Sequence, residues 1–183
     1  MSGKLWSHRF SLETPVNHRT AGFTLIELLV TMTVAAILLV VAVPSFQNMM
    51  LSSRLDTSAN AVANALTLAR SEAVKRNQEV NFNSDAAIEN ADNSATFAAA
   101  PTIPPGVQKV TGEALVATPS GFLRLASASA GYSGLVMDLY AADLPSNQHR
   151  CVYLVTGITP VVCSVNDTGT GKCPNAQPNP CQR

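Results

Sequence analysis

Residues 22–46 read GFTLIELLVTMTVAAILLVVAVPSF. An almost unbroken apolar stretch of 21 residues, 23–43, runs through this segment, and Pro44 closes it. A helix needs about 20 apolar residues to cross a hydrocarbon core, so the stretch predicts a membrane-spanning helix. One carboxylate, Glu27, stands near its start. An acid at the centre of such a helix costs roughly 2.5–3.5 kcal/mol on insertion scales, so it normally has a partner or a task.

The segment upstream is basic. Residues 1–22 carry Lys4, Arg9, Arg19, His8 and His18 against one acid, Glu13. A general secretory signal also begins basic, but its apolar core is about 7–15 residues and ends at a small-x-small site. Here the run is longer and ends in Pro44-Ser45-Phe46. An uncleaved membrane anchor is the plain alternative. Either way the basic end should stay on the cytoplasmic side.

Downstream, residues 44–183 are enough for one modest core. They are near neutral, with nine Lys/Arg against ten Asp/Glu and no basic run. All four cysteines, Cys151, Cys163, Cys173 and Cys181, lie in the last third. An even number in an exported chain reads as two disulfides formed in an oxidising compartment. Their spacings of 12, 10 and 8 contain no C-x-x-C pair, so no metal site and no cofactor are expected. Gly131-Tyr132-Ser133-Gly134 lacks the last glycine of a hydrolase elbow. His149 sits in a polar stretch beside Arg150 and reads as solvated. No catalytic constellation emerges, and an enzyme is not expected.

The helix should continue beyond the membrane. Leu55, Ala59, Val62, Leu66, Ala69 and Ala73 follow at helical spacing, the stripe of a helix that packs on a core. Glu72 and Arg76 stand in the favourable order for an ion pair four residues apart. Residues 23–76 as one helix would measure some 80 Å, kinked or locally unwound at Pro44. From Gln78 the texture becomes that of strands. Val80 and Phe82 alternate with polar residues, and 95–100 reads as a further strand. Later apolar runs (107–110, 115–117, 122–126, 135–140, 152–155 and 158–162) are short, with turn signals between most of them, as in an antiparallel sheet. The polar segment 85–94 and the tail from Asn166 read as loops.

The last two long runs suggest a hairpin. If Thr156-Gly157-Ile158 is a three-residue loop, Val155 faces Thr159 and Cys151 faces Cys163; a two-residue Thr156-Gly157 turn would instead set Arg150 opposite Cys163. Of three possible connectivities, the first register favours Cys151–Cys163, leaving Cys173–Cys181 to staple the tail.

Residues 22–46 resemble the class III signal of type IV pilins and type II secretion pseudopilins. Gly22, Phe23, Thr24, Leu25, Ile26 and Glu27 match it position for position, and Pro44 falls where many members carry a helix-bending proline. The segment Leu66-Thr67-Leu68-Ala69-Arg70-Ser71-Glu72-Ala73-Val74-Lys75-Arg76-Asn77 looks like the end of the long helix in the GspH/FimT group. Arg150-Cys151-Val152-Tyr153-Leu154-Val155-Thr156-Gly157 looks like that group's last hairpin. The resemblance implies an α+β pilin-like fold with a cleaved leader (1–22), a membrane and filament-core helix (23–43), its amphipathic continuation (44–76) and a β-rich periplasmic domain (77–183) with a stapled tail. The distal half of the helix would pack on that domain while the proximal half projects.

It further implies cleavage after Gly22 by prepilin peptidase and N-methylation of Phe23. Glu27 would meet the Phe23 amine of a neighbouring subunit during assembly. Partners would be inner-membrane lipid and other major and minor pilins or pseudopilins. The leading reading is a minor pilin that joins or primes a type IV pilus. Pseudopilin H of type II secretion and a DNA-uptake minor pilin are the alternatives. Some FimT-like proteins bind DNA through a Gly-Arg-x-Arg hairpin tip. The matching positions here, Gly157, Ile158, Thr159 and Pro160, contain neither arginine, and residues 77–183 hold five basic residues against eight acids. Phosphate neutralisation dominates DNA affinity, so nucleic acid is not an expected partner.

Overall fold

The computed structural model describes residues 22–144, 148–166, 172–179 and 181. Residues 1–21, most of the expected leader, lie outside that set. Two compact units are present, Met1–Val41 and Ala42–Arg183. One helix, α1 (Leu25–Arg76), has residues in both. Its end is set by a Schellman motif. Asn77 takes a left-handed φ of 52°, Gln78 N–H donates to Ala73 O at 3.2 Å, and Asn77 N–H donates to Val74 O at 3.3 Å. Lys75 and Arg76 occupy the last turn, where the helix dipole favours cations. The sequence predicts a kink or a local unwinding at Pro44; the helix does not unwind there, since α1 runs through it as helix, although proline removes one backbone donor.

Among the described residues, nine antiparallel strands form two sheets in place of the single one expected. The first holds β1 (Val80–Phe82), β2 (Ile88–Asn90), β3 (Thr96–Ala98), β5 (Leu115–Ala117) and β6 (Leu123–Arg124), in the order β3-β2-β1-β5-β6. The second holds β4 (Gln108–Gly112), β7 (Gly134–Ala141), β8 (Gln148–Val155) and β9 (Thr159–Asn166), in the order β4-β7-β8-β9. β2 lies within the segment read as a loop. Only Ile88 of its three residues is buried, so no alternation betrays it. The turn before it is built by Asn83, whose Oδ1 accepts from the N–H groups of Asp85 and Ala87.

The helical stripe is the core's third wall. Leu55, Ala59, Leu66, Ala69 and Ala73 are fully buried, with Val62 nearly so. They pack with Val80, Phe82, Ile88, Leu115, Ala117 and Leu123 of the first sheet, and with Met137, Leu139, Val152 and Leu154 of the second. At 20–33 cal/mol per Å² of apolar area removed from water, burying a leucine stabilises by roughly 1.5–3 kcal/mol. A bulge between Leu135 and Met137 lets Val136 and Met137 both enter this core, while Leu135 packs on the other face.

That other face carries the tail. Val155 pairs with Thr159 and Cys151 with Cys163, the register that a three-residue loop sets. The expected bonds are nevertheless corrected. Cys151 is bonded to Cys173, and Cys163 to Cys181. Directly opposed residues hold their Cβ atoms about 4.5–5.5 Å apart, wider than the roughly 3.5–4.5 Å a disulfide spans. A tail crossing above the face can bring its own cysteines to the required distance. The result is a strap, clipped separately to β8 and β9.

Candidate functional site

At the start of α1 every residue from 22 to 47 is exposed. Phe23, Leu25, Ile26, Ile37, Leu38, Val40 and Val41 are each more than 60 % exposed. α1 is long and apolar enough to cross a membrane. The threonines and Glu27 within this stretch bond groups of the same segment. Thr31 and Thr33 hydroxyls donate to the carbonyls of Leu28 and Val30 at 2.9 and 2.8 Å. Glu27 N–H donates to Thr24 Oγ1 at 3.2 Å, and Thr24 N–H reaches Glu27 Oε2 at 3.5 Å. This is a capping box, in which two orphan N–H groups are satisfied reciprocally. The Glu27 carboxylate thus rests at the positive end of the helix dipole. Sequence reading found Glu27 but missed its tie to Thr24, which the Thr-x-x-Glu spacing signals.

Gly22 lies just before this cap. A Cβ built on it would meet nothing within 4 Å. Among the described residues, nothing sterically requires glycine at this position.

The segment 66–77 proves to be a clamp. Arg70 donates from Nε to Gly121 O at 2.7 Å and from Nη1 to Ile158 O at 2.9 Å. It ties two loops, 51 and 88 residues away, to the helix. Arg76 bonds Glu72 at 2.7 Å, as its spacing predicts, and stacks over Phe97 at 3.9 Å. Bonding to Arg76 holds the Glu72 carboxyl below its usual range. Nearer the membrane half, Asp56 pairs with Arg150 of β8.

The β8–β9 hairpin tip is packed from outside. Gly157 N–H donates to Tyr132 O, and Leu123 N–H to Gly157 O, both at 2.7 Å. Gly157 has a φ of +72°, and a Cβ there would come within 2.8 Å of Gly131 Cα and Leu123 O. Only glycine fits.

Beneath the strap lies a polar cluster that sequence reading missed. Asp138 is fully buried; its Oδ1 meets His149 Nδ1 at 2.7 Å, and its Oδ2 accepts the Cys173 N–H at 2.9 Å. The expected solvated His149 is thus corrected: it is 1 % exposed and stacked on Tyr140. Its polar sequence neighbours belong to a strand that the strap covers. Tyr153 donates its hydroxyl to Pro174 O at 2.7 Å. Burial, with Asp138 nearby, pushes that hydroxyl up to about 12.

Comparison with known families decides what the N-terminal segment and this fold are together. The prokaryotic N-terminal methylation motif matches residues 17–43, and the family described as type II transport protein GspH matches residues 58–170. The chain belongs to this GspH family. It is a pilin-like protein of the GspH/FimT group, a pilin or pseudopilin subunit anchored in the inner membrane by α1. Such subunits are structural and assemble with others of their kind after processing by prepilin peptidase. The GspH match takes in the distal part of α1 and the nine described strands, and it ends before Cys173 and Cys181. No curated protein and no solved structure matches the chain significantly.

Proposed function

We propose that this GspH-family chain is a minor pilin, incorporated into a type IV pilus or priming its assembly. Prepilin peptidase cleaves after Gly22, the new Phe23 amine is methylated, and the domain after the helix faces the periplasm while the leader stays cytoplasmic. The observation that carries this reading is the start of α1: a fully exposed apolar helix with one acid, Glu27, held at its own N-terminus by a weak cap. Glu27 exchanges that cap for the Phe23 amine of a neighbouring subunit, and the apolar flank exchanges lipid for the filament core. Gly22 supports the same reading, because its missing side chain serves no packing need among the described residues and suits a peptidase that requires access to the bond. The strap clipped outside the matched region favours a pilus over a secretion machine. The GspH description of residues 58–170 favours the second reading, pseudopilin H acting in type II secretion.

Glu27→Ala tests the assembly role. The variant should insert and be cleaved normally. Removing one partner of a buried ion pair costs roughly 3–5 kcal/mol, so the protein recovered in sheared filaments should fall by on the order of a hundredfold or more. Undiminished recovery would refute the role. In cells lacking the protein, loss of surface pili with intact secretion supports the pilus reading. The reverse supports the secretion machine.

A further inference from the structure

We infer that the open edge of β9, with the flank of α1 beside it, receives an extended strand from another pilin-like subunit. The inference rests on the reading of this chain as an assembling subunit, and it holds for a pilus and a secretion machine alike. Among the described residues β9 pairs with β8 alone. The bonds of an antiparallel strand alternate in direction, so about half of its N–H and C=O groups face away from β8. Such an edge is a template for strand addition. The other edges of the two described sheets are guarded by shortness, a bulge or a charge, which keep edges from pairing. β3 has three residues and β6 two. β4 has five, is bulged between Lys109 and Thr111, and carries Lys109, which is tied to Asp85. By contrast, β9 runs for eight residues in unbroken register with β8. It carries no charge and holds three valines. Pro160 stands near its start, as suits a residue that sheets confine to edge strands, strand starts and bulges. Residues 161–166 keep their amide donors.

A place for the added strand is already shaped. A cleft of about 420 Å³ is lined by Pro160, Val162 and Ser164 of β9 on one side and by Asp56, Asn60 and Ala63 of α1 on the other. Those three helix residues recur at helical spacing, so α1 offers a continuous flank beside β9, and Asn60 and Ala63 are short enough to let a backbone come close. Pro160, Val161, Val162, Ser164 and Val165 are only half-buried, whereas residues 149–154 of β8, which has a strand on each side, are buried. One more strand would cover β9 as β7 and β9 cover β8. The cleft also selects its occupant. Arg150 is nearly buried behind its ion pair with Asp56, whose side chain remains 50 % exposed. A carboxylate has about four acceptor sites, so the group presented to the cleft is an acid. The strand that fits is uncharged and β-branched, with one basic side chain turned towards α1. A second copy fits less well. Its β4 edge is guarded, and antiparallel pairing of β9 with its own copy needs a two-fold axis normal to the sheet, which reverses the packed part of α1 between two chains that share a membrane.

The probe is a short capped peptide that alternates threonine and valine around one lysine, added to the full chain in detergent. Binding should slow hydrogen exchange at alternate amides of residues 161–166, those that face away from β8, and leave the intervening ones unchanged. Docking through side chains alone would not produce that period of two. A peptide with glutamate in place of the lysine should bind at least about threefold more weakly, the scale of a half-exposed ion pair turned into a repulsion. Ser164→Lys puts a charge on the edge and Asn60→Trp fills the cleft; each should abolish binding, and whichever keeps the parent's circular dichroism decides. In cells, a photo-crosslinker in place of Asn60 should join an extended segment of a different subunit that carries the N-terminal methylation motif. Unchanged exchange at the alternate amides, equal binding of the two peptides, undiminished binding in a folded Ser164→Lys or Asn60→Trp variant, or cross-links absent or confined to copies of this chain would each overturn the inference. The peptide assay does not involve Glu27, so Glu27→Ala should bind as the parent does. Loss of assembly in that variant, with no peptide bound by either protein, would sink this inference and leave the assembly role standing.

Discussion

The two halves of α1 bury apolar side chains by opposite rules. Through residue 47 every side chain is exposed all round the helix, so no stripe exists and none is needed in a medium that is apolar on every side. From Leu55 to Ala73 the buried residues recur at helical spacing, and the remaining faces carry charges with defined partners. One continuous helix thus serves two solvents, and periodicity alone distinguishes them. The difference teaches that a mutation's effect depends on which half carries it.

Leucine truncation should break the symmetry most strongly. Leu66→Ala empties a fully buried position and should lower the stability of the unit Ala42–Arg183 by about 2–5 kcal/mol. Leu39→Ala, 59 % exposed in the structure, should change it by less than ~0.5 kcal/mol. Denaturant unfolding of both variants in the same micelles measures the contrast. Equal effects would mean that the halves are not distinct.

The polar face sharpens the comparison. Threonines of the membrane half bond only their own helix, whereas Arg70 reaches two distant loops. Hydrogen bonds to charged groups contribute about 1.5–3 kcal/mol each, less where solvent competes. Arg70→Ala should therefore cost about 1–2 kcal/mol in total and raise hydrogen exchange around Gly121 and Ile158. Unchanged exchange there would show that the clamp is idle.

The smallest effect should appear at alkaline pH. A folded-state phenol value raised to about 12 means that the fold favours neutral Tyr153. That contribution is fully present below the unfolded value near ~10, and it is lost as pH rises through the folded value. Wild-type stability should thus fall more steeply than that of Tyr153→Phe between these limits. The membrane half carries no tyrosine and should not respond. Parallel pH curves for the two proteins would contradict the assignment.

The parts that could be read from sequence share a physical cause: each is fixed by local spacing. The stripe follows from the helical period, the Glu72–Arg76 pair from a four-residue step, and the hairpin register from a three-residue loop. What escaped depends on a surface supplied from far along the chain. The register did place Cys151 opposite Cys163, yet adjacency across a ladder is not the geometry of a disulfide, and the tail offered better partners. His149 and Asp138 lie in different strands, and neither segment shows that a strap will cover both. Arg70 looks solvated because its acceptors are backbone carbonyls, which no side-chain pattern announces. β2 escaped because only one of its three residues is buried. The Thr24–Glu27 cap was visible in the spacing, but the apolar context drew attention to the acid alone.

We propose that the mature protein begins at Phe23, two residues before α1. Intact-mass and N-terminal peptide analysis of the native chain from membranes with active prepilin peptidase tests it directly. The predicted result is a chain lacking residues 1–22 that begins at N-methylated Phe23. A chain that begins at Met1, or anywhere within residues 44–183, would contradict it.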